Sequence, residues 1–310
     1  MFRPFRVTVP CSTSNVGPGF DCLGLALERF LQIEVRPIIG KSPGAIQWLP
    51  PEGTLAELPL DGEERITRAL LHFANLKNRA IPAASIFASS TIPVARGLGS
   101  SGSATVAGLA AACELLQIER DTDLLFDAGC KLEGHPDNIG PALMGGCVVG
   151  MPSPDGGKVV WFRAPVHTDL RIAVAVPKTR VETARARTVL PETVNFTVAR
   201  DQPRRLAQLL QGLATAEKRY LQIGAFDELH TPFRAPLIPN CYEVMNAAIR
   251  AGAYAAAISG SGSAILAIGT VHLPMQQIAG AMQNAFAAVN EPAETFISQI
   301  PAEGYKIEYL

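Results

Sequence analysis

The chain has 310 residues, of which 48% are apolar and 18% charged, and its formal net charge is −1. This composition supplies a sizeable buried core and excludes a disordered chain. The near-neutral charge gives no electrostatic footprint for nucleic acid, and no run of like charges indicates a membrane-surface patch. We therefore expect a folded protein that binds neither nucleic acid nor membranes.

The first half predicts alternating strands and helices. The pattern favours a strand over residues 5–10, a turn-rich insert over 11–27, a strand over 30–38 and an irregular connection over 41–62. It then predicts a helix over 64–76, a strand over 85–93, a helix over 104–118 and a helix over 123–132, the last leading through a loop into another strand.

The second half mixes strands and helices in the same way. It predicts a strand over 170–177, helices over 203–213, 241–252 and 275–289, and two strands meeting at "SGSGS", residues 259–263. The uncharged stretch 251–271 approaches the length of a membrane span, but this glycine-serine turn would interrupt it, so a buried segment is expected. The whole pattern indicates an α+β fold with a boundary near residue 165.

The six cysteines form no CxxC pair, and none lies near a histidine at zinc-ligand spacing. Such spacing is typical of reduced thiols in a cytoplasmic protein. The N-terminal residues "MFRPFRVTVP" also lack the apolar core of a signal peptide. We therefore expect a cytoplasmic location.

The stretch "ARGLGSSGSA", residues 95–104, holds three glycines and three serines ahead of a predicted helix. Its Gly-x-Gly-x-x-Gly spacing matches a dinucleotide loop, but it does not follow the first strand, and no acidic residue ends a following strand. A Walker A loop is excluded because no lysine lies between residues 80 and 117. Two interpretations stay open: a phosphate cradle in which Ser100, Ser101 and Ser103 donate hydrogen bonds, or a serine N-cap on a packed helix.

Two further stretches carry clustered polar residues. In "NVGPGFD", Asn15 and Asp21 flank a Gly-Pro-Gly turn, where they are either ordinary turn residues or contacts for a small polar substrate. In "EGHPDN", residues 133–138, two carboxylates, an imidazole and an amide lie within six positions. Beside a phosphate loop, Glu133 becomes a candidate Mg²⁺ ligand, although a surface loop can carry the same residues by chance.

The segment "PVARGLGSSGSA" resembles the ATP-phosphate loop of the GHMP kinases, a superfamily that includes galactokinase, homoserine kinase, mevalonate kinase and phosphomevalonate kinase. The resemblance covers nearly the whole chain. The motifs "VPCSTSNVGPGFDCLGLAL", "EGHPDN", "ETARARTVLP" and "HTPFRAPLIP" are most similar to those of the homoserine kinases within it.

This resemblance implies a two-domain fold. Residues 1–164 would form an ATP-binding domain like the second domain of ribosomal protein S5, and residues 165–310 a ferredoxin-like domain. ATP and substrate would meet in the cleft between them. Superfamily members are often dimers, so a homodimer is one expectation.

The resemblance also implies phosphorylation of L-homoserine by ATP, in threonine biosynthesis, with Mg²⁺ bound by Ser101 and Glu133. The ATP phosphates would lie against Pro93, Arg96, Gly97, Leu98, Gly99, Ser100, Ser101, Gly102 and Ser103. The substrate would contact Asn15, Asp21, His135, Asp137, Asn138, Thr183, Arg187, Arg234 and Gly262.

Arginine suits a carboxylate because its fork donates two hydrogen bonds at once, so Arg187 and Arg234 are implied to hold the substrate carboxylate and Asp21 its amino group.

Asn138 stands where many superfamily members carry an aspartate, and an amide cannot accept a proton as a carboxylate does. The resemblance therefore implies catalysis by alignment and charge stabilisation, without a dedicated base. We hypothesise that Asn138 orients the attacking hydroxyl, beside Ser101 and Glu133. A GHMP kinase for another small alcohol, such as mevalonate or a sugar, and a non-catalytic ligand-binding member remain the alternatives.

Overall fold

The computed structural model describes residues 2–56 and 64–310. The strands are β1 Phe5–Asn15, β2 Gly19–Pro37, β3 Ile46–Trp48, β4 Glu52–Gly53, β5 Ala84–Ser90, β6 Cys147–Pro152, β7 Val159–Ala164, β8 Leu170–Pro177, β9 Ala255–Ile258, β10 Ile265–Thr270, β11 Ala293–Ser298 and β12 Lys306–Tyr309. The helices are α1 Arg65–Leu76, α2 Ser100–Leu116, α3 Thr122–Glu133, α4 Ile139–Met144, α5 Thr183–Thr188, α6 Phe196–Thr215, α7 Lys218–Gly224, α8 Thr231–Arg234, α9 Cys241–Arg250 and α10 Met275–Ala287.

The first two strands form a long antiparallel hairpin. β1 runs without a break to Asn15, and β2 begins only four residues later at Gly19. The predicted turn-rich insert over residues 11–27 is therefore wrong. Serine, threonine and glycine are typical of turns, but here Ser12, Thr13 and Ser14 are buried strand residues whose side chains take part in hydrogen bonds.

The first sheet has eight strands within the described residues, and its central order is β12-β1-β2-β5-β3. β6 pairs with β2 and β7, whereas β3 and β4 run parallel to β5 inside the connection predicted as irregular. Residues 57–62 of that connection lie outside the described part of the chain. The last strand, β12, returns from the C-terminal end to pair with β1.

The second sheet is antiparallel, in the order β11-β8-β10-β9. Numbered along the chain, this is the 4-1-3-2 order of a ferredoxin-like βαββαβ unit, as the resemblance implies. β9 and β10 are the two strands predicted to meet at the glycine-serine turn. The chain passes from the first sheet to the second between Ala164 and Leu170, at the predicted boundary. The division into residues 1–164 and 165–310 remains a prediction, and β12 belongs to the first sheet.

Helix α2 is the central helix of the N-terminal half. Almost every residue from Gly102 to Leu116 is buried, and the helix contacts β1, α1, α3 and α4. Two glycines precede it in the left-handed region, Gly97 at φ 75° and Gly99 at φ 65°. A Cβ at Gly99 would lie 2.1 Å from Ser12 Oγ, so only glycine lets the loop pack against β1. The loop thereby brings the N-terminus of α2 to the end of the β1–β2 hairpin.

All six cysteines are free thiols, as the sequence predicts. Burial raises the pKa of Cys11 to about 12 and that of Cys22 to about 11. These two thiols are therefore protonated near neutral pH and poor nucleophiles. Within residues 2–56 and 64–310, none of the helices combines the length and apolar character needed to cross a bilayer.

Candidate active site

A cavity of about 630 Å³ opens where the glycine-serine loop, the β1–β2 turn, the α3–α4 junction, α5 and α8 meet. This volume is within the range of small-molecule sites. Its wall has three parts. The loop contributes Gly97, Leu98, Gly99, Ser100, Ser101 and Gly102; the polar end Asn15, Asp21, His135, Asp137, Asn138, Thr183, Arg187 and Arg234; and the apolar end Trp48, Pro51, Leu55, Ile66, Ala88 and Val94.

The loop part presents main-chain groups. Gly99 is the N-cap of α2, and its carbonyl already accepts the amide of Ser103 at 2.9 Å. The first amides of the helix have no partner within it, and the helix dipole adds partial positive charge at that end. A helix N-terminus beside a cavity is a suitable cradle for an anion.

Four residues predicted from the loop and the C-terminal turn contribute no side-chain polar group to the cavity. Ser103 Oγ is buried and donates to the carbonyls of Pro10 at 2.9 Å and Gly99 at 3.1 Å. The Arg96 guanidinium donates to several main-chain carbonyls, including those of Pro177 and Lys178, although the residue lines the cavity. Pro93 borders a second, smaller cavity instead, and Gly262 is not among the described residues of the main cavity wall.

Glu133 is the most heavily contacted acid at the loop end. Ser101 Oγ lies 2.9 Å and 2.8 Å from its two carboxylate oxygens, and Thr105 Oγ1 donates at 2.7 Å from the next turn of α2. The Arg65 guanidinium donates to the same carboxylate at 3.0 Å. The Glu133 side chain is only 6% exposed. The resemblance implied Ser101 and Glu133 as ligands of one Mg²⁺ ion, but Thr105 and Arg65 carried no motif that distinguishes them from ordinary helix residues.

The donor set at this end suits Mg²⁺ more than a transition metal. Within the described residues, no group of three or more histidine, cysteine or acidic side chains could hold a metal by itself. A single carboxylate and a hydroxyl are oxygen ligands, and Mg²⁺ commonly combines one or two carboxylates with phosphate oxygens. Ser101 and Glu133 therefore fit an ion that arrives with a phosphorylated ligand.

The "EGHPDN" segment forms a connected polar network at the α3–α4 junction. His135 Nδ1 lies 2.5 Å from Asp137 Oδ1, and the Asp137 side chain is buried. Burial lowers the pKa of His135, but the hydrogen bond and charge of Asp137 more than offset this effect and raise the pKa overall. The same carboxylate oxygen also accepts Asn138 Nδ2 at 3.1 Å. The imidazole is thus held in one orientation by a buried carboxylate.

Hydroxyls from β1 fix the amide of Asn138. Ser12 Oγ donates to Asn138 Oδ1 at 3.0 Å, and Asn138 Nδ2 donates to Ser14 Oγ at 3.2 Å. Both amide hydrogens are therefore engaged, and Oδ1 retains one lone pair for a further donor. The sequence identified Asn138 but missed both serines, because they lie in the segment predicted as turn-rich.

Asp21 and Arg187 form a bidentate ion pair across the polar end. Arg187 Nη1 and Nη2 lie 2.8 Å and 2.9 Å from the two carboxylate oxygens. The hydrogen bond with Asp21 raises the pKa of Arg187 above its ordinary value. The sequence assigned both residues to the substrate and did not predict that they contact each other.

Arg234 and Asn15 share a main-chain acceptor beside this pair. Arg234 is buried, and its Nη1 donates to the Gly260 carbonyl at 3.1 Å while Nε donates to Ala186 at 3.2 Å. Asn15 Nδ2 donates to the same Gly260 carbonyl at 2.8 Å. Asn15 and Asp21 both have left-handed backbones, with φ 68° and 54°. Strained conformations of this kind persist where the surrounding structure fixes them, often at functional sites.

His230 is buried outside the cavity wall and contacts residues next to the polar end. Its Nε2 donates to the Gly17 carbonyl at 2.9 Å in the β1–β2 turn, and the Phe20 ring packs against both the His230 ring and the Arg234 guanidinium. Burial lowers the pKa of His230, so the ring is neutral at pH 7. The "HTPFRAPLIP" motif therefore positions the hairpin turn as well as Arg234.

Comparisons with known proteins agree with this geometry. The family model for the GHMP kinase N-terminal domain matches residues 64–146, and the model for the C-terminal domain matches residues 206–288. The chain is 35% identical over 306 residues to homoserine kinase from Nostoc punctiforme, which covers 97% of each chain. The chain belongs to the homoserine kinases of the GHMP kinase family. Another relative of this family, homoserine kinase from Carboxydothermus hydrogenoformans, is 36% identical over 84% of each chain.

Solved structures show the same architecture. Homoserine kinase from Cytophaga hutchinsonii superposes with a TM-score of 0.88 at 28% identity, covering 99% of this chain and 98% of that one. Mevalonate kinase from L. major shares the fold, with a TM-score of 0.68 at 16% identity over 95% of this chain and 96% of its own. The fold is therefore the two-domain GHMP kinase fold, and ATP is the phosphate donor of this family.

Proposed function

We propose that this protein transfers the γ-phosphoryl group of ATP to the side-chain hydroxyl of L-homoserine, giving O-phospho-L-homoserine and ADP. The observation that carries the proposal is how the wall of one cavity is built. One end presents an anion cradle, and the other presents a carboxylate and guanidinium groups that suit the two charges of a zwitterion. The homoserine kinase names of the relatives support the choice of substrate. The product belongs to threonine biosynthesis.

The loop and the apolar end together fit ATP. The triphosphate would lie along the amides of Gly97–Gly102 and the hydroxyls of Ser100 and Ser101. The adenine, which the sequence could not place, would enter the apolar end beside Trp48 and Ile66. Trp48 is held there by a hydrogen bond from Nε1 to Thr67 Oγ1 at 3.0 Å.

Mg²⁺ would be held by Ser101 Oγ and the Glu133 carboxylate together with phosphate oxygens. When bound, the ion neutralises charge that develops on the transferring phosphoryl group. The Glu133 side chain is almost completely buried, and Ser101 and Thr105 fix its orientation. Its carboxylate would therefore need little reorganisation when the ion binds.

The substrate hydroxyl would face the phosphate end and the α-amino and α-carboxylate groups the polar end. Asp21 would accept hydrogen bonds from the ammonium, and Arg187 and Arg234 would donate hydrogen bonds to the carboxylate, all of them charge-assisted. The free lone pair of Asn138 Oδ1 would accept a hydrogen bond from the substrate hydroxyl and so aim an oxygen lone pair of that hydroxyl at phosphorus.

In the transfer itself, the bond from the hydroxyl oxygen to Pγ forms while the bond from Pγ to the β,γ-bridging oxygen breaks. The hydroxyl proton passes to an oxygen of the transferred phosphoryl group, and ADP leaves with the electron pair of the broken bond. The transition state of such reactions is loose, so alignment by Asn138 and charge stabilisation at the loop supply most of the rate enhancement.

A direct test measures ADP release from Mg²⁺-ATP with L-homoserine, mevalonate and galactose as separate acceptors. We expect turnover with L-homoserine only. Turnover of mevalonate or galactose without homoserine would contradict the substrate assignment, and nucleotide binding without turnover of any acceptor would contradict the activity. Gel filtration with light scattering tests the homodimer expected from the superfamily.

A further inference from the structure

The Asp21–Arg187 ion pair occupies the position that the proposed substrate charges need. Both side chains line the cavity, and they are 35% and 39% exposed, so ligand can reach them. Asp21 lies in the β1–β2 hairpin and Arg187 in α5, and 166 positions separate them in the sequence. The two groups thus form a bridge across the polar end.

Neither member of this pair has another ion-pair partner in the part of the chain that the structure describes. Arg234 lies nearby, but its Nε and Nη1 donate to the main chain. A ligand that takes Arg187 therefore leaves Asp21 without its cation, and a ligand that takes Asp21 leaves Arg187 without its anion. Removing one partner of a close charge pair is costly when the other stays in a partly desolvated site.

We propose that the Asp21–Arg187 pair is an exchange lock that admits zwitterions and rejects ligands carrying only one of the two charges. This inference rests on the proposed function, because it takes the polar end as the site of the amino acid. A zwitterion exchanges one ion pair for two: its ammonium replaces Arg187 at Asp21, and its carboxylate replaces Asp21 at Arg187. A ligand with a single charge breaks the internal pair and restores only one contact.

The lock and two independent charge contacts predict different changes in the affinity for a single-charge ligand when one partner is substituted. If Asp21 and Arg187 acted independently, Asp21→Asn would leave the affinity for a carboxylate-only ligand unchanged. With the lock, Asp21→Asn removes the competitor for Arg187, so a carboxylate-only ligand must bind more tightly. The mirror change Arg187→Gln must favour an ammonium-only ligand, because it frees Asp21.

The experiment uses the full chain and three ligands of nearly equal size. L-Homoserine carries both charges, 4-hydroxybutanoate only the carboxylate, and 3-aminopropan-1-ol only the ammonium. NMR titration gives the Kd of each ligand for the unmodified protein, for Asp21→Asn and for Arg187→Gln. Arg205→Gln is the matched control, since Arg205 pairs with Glu228 away from the cavity wall. Melting temperature and ATP affinity verify that each variant is folded.

For Asp21→Asn we expect the affinity for L-homoserine to fall by at least about 30-fold, as for a truncated charge pair. The affinity for 4-hydroxybutanoate should rise by about 2- to 5-fold, the scale of a partly exposed ion pair. Arg187→Gln should show the mirror result with 3-aminopropan-1-ol, and Arg205→Gln should change none of the three affinities.

Unchanged or weaker binding of the single-charge ligands to both charge variants would overturn the lock. That result would leave the proposed function intact if the unmodified protein still binds and phosphorylates L-homoserine. Failure of the unmodified protein to bind L-homoserine would instead overturn the proposed function. If Asp21→Asn does not fold, the Arg187→Gln arm decides, since it exchanges the other partner on a different element.

Discussion

The two ends of the cavity are built in opposite ways. The loop end comes mainly from one continuous stretch, residues 97–102, which presents main-chain amides and small hydroxyls, and Glu133 at the end of α3 adds its acidic side chain. The polar end takes its side chains from the β1–β2 hairpin, the α3–α4 junction, α5 and α8. A backbone cradle depends on local conformation, whereas the polar end depends on contacts between segments that are distant in sequence.

The two ends also differ in what their side chains do before a ligand arrives. At the polar end, Asp21 pairs with Arg187 and Asp137 with His135, so most charge is already balanced. At the loop end, the first amides of α2 have no partner within the helix. The loop end can therefore bind an anion without first breaking a contact. At the polar end, a ligand must first replace the contacts that its charged side chains make with each other.

The largest effect is expected from Glu133→Gln, which tests the charge at the loop end. The amide keeps the size of the side chain but loses the negative charge that suits Mg²⁺. We expect kcat to fall by roughly 100- to 1,000-fold, the scale of losing one preorganised electrostatic group. Steady-state kinetics over a range of Mg²⁺ concentrations measures it. Glu243→Gln, on exposed α9 residue Glu243, is the matched control. Wild-type kcat in Glu133→Gln would remove Glu133 from the reaction.

A somewhat smaller effect is expected from Asn138→Ala, where the two ends meet. Loss of the Ser12–Asn138–Ser14 contacts leaves the attacking hydroxyl without a fixed acceptor. We expect kcat to fall by roughly 10- to 100-fold with a smaller change in the KM of ATP, as for a lost alignment. If Asn138→Ala retains full kcat, its orienting role is wrong.

Gly99→Ala tests the backbone character of the cradle. Alanine is strained at φ 65°, and its Cβ would approach Ser12 Oγ to 2.1 Å. We expect a loss of about 1–2 kcal/mol in the free energy of unfolding and a higher KM for ATP. Denaturant unfolding and kinetics measure the two effects.

The control for this change is Gly280→Ala in α10, where an added Cβ meets no atom within 4 Å. Alanine is the better helix former, so this variant should gain roughly 0.5–1 kcal/mol. Equal effects of the two substitutions would contradict the special geometry of Gly99.

The smallest effect is a pH dependence of stability at the polar end. The folded pKa of His135 is raised above its ordinary 6.5, mainly through Asp137 acting against burial. This stabilisation is therefore fully present below 6.5 and is lost as the pH rises through the folded pKa. The difference in free energy of unfolding between the unmodified protein and His135→Gln should shrink toward alkaline pH. Urea unfolding across this pH range measures it.

His230 should behave in the opposite way, since burial lowers its pKa. The corresponding difference for His230→Gln should shrink toward acidic pH, because the unfolded chain takes up a proton that the buried ring resists. Slopes of the same sign for both histidines would contradict the different environments described for them.

The sequence predicted the residues of the loop end more completely than the contacts of the polar end. Gly97, Gly99 and Ser101 were predicted as loop residues because a glycine-serine run before a helix carries its geometry locally, whereas Glu133 was predicted from the separate segment "EGHPDN". The Asp21–Arg187 contact could not be predicted, since each residue appeared in its own motif and nothing in either motif encodes the other. Ser12 and Ser14 were missed because a hydroxyl-rich strand has the composition of a turn until its burial is known.

The sequence also could not predict the direction in which each side chain points. Ser103 and Arg96 belong to the loop motif, yet their polar groups bond main-chain carbonyls instead of the cavity. Arg65 and Trp48 reach the cavity from segments without any motif. The α+β class followed from the alternating elements and the ferredoxin-like domain from the resemblance. Both depend on many residues together, whereas a site depends on the orientation of single side chains.

The most direct test of the central claim follows the transferred phosphorus itself. Phosphorus NMR of the protein with Mg²⁺-ATP and L-homoserine distinguishes a phosphate ester from free phosphate. We expect the γ-phosphate signal to be replaced by a phosphomonoester of homoserine in equal amount to the ADP formed. ATP that is consumed only to inorganic phosphate, or not consumed at all, would contradict the assignment of this cavity as a homoserine kinase site.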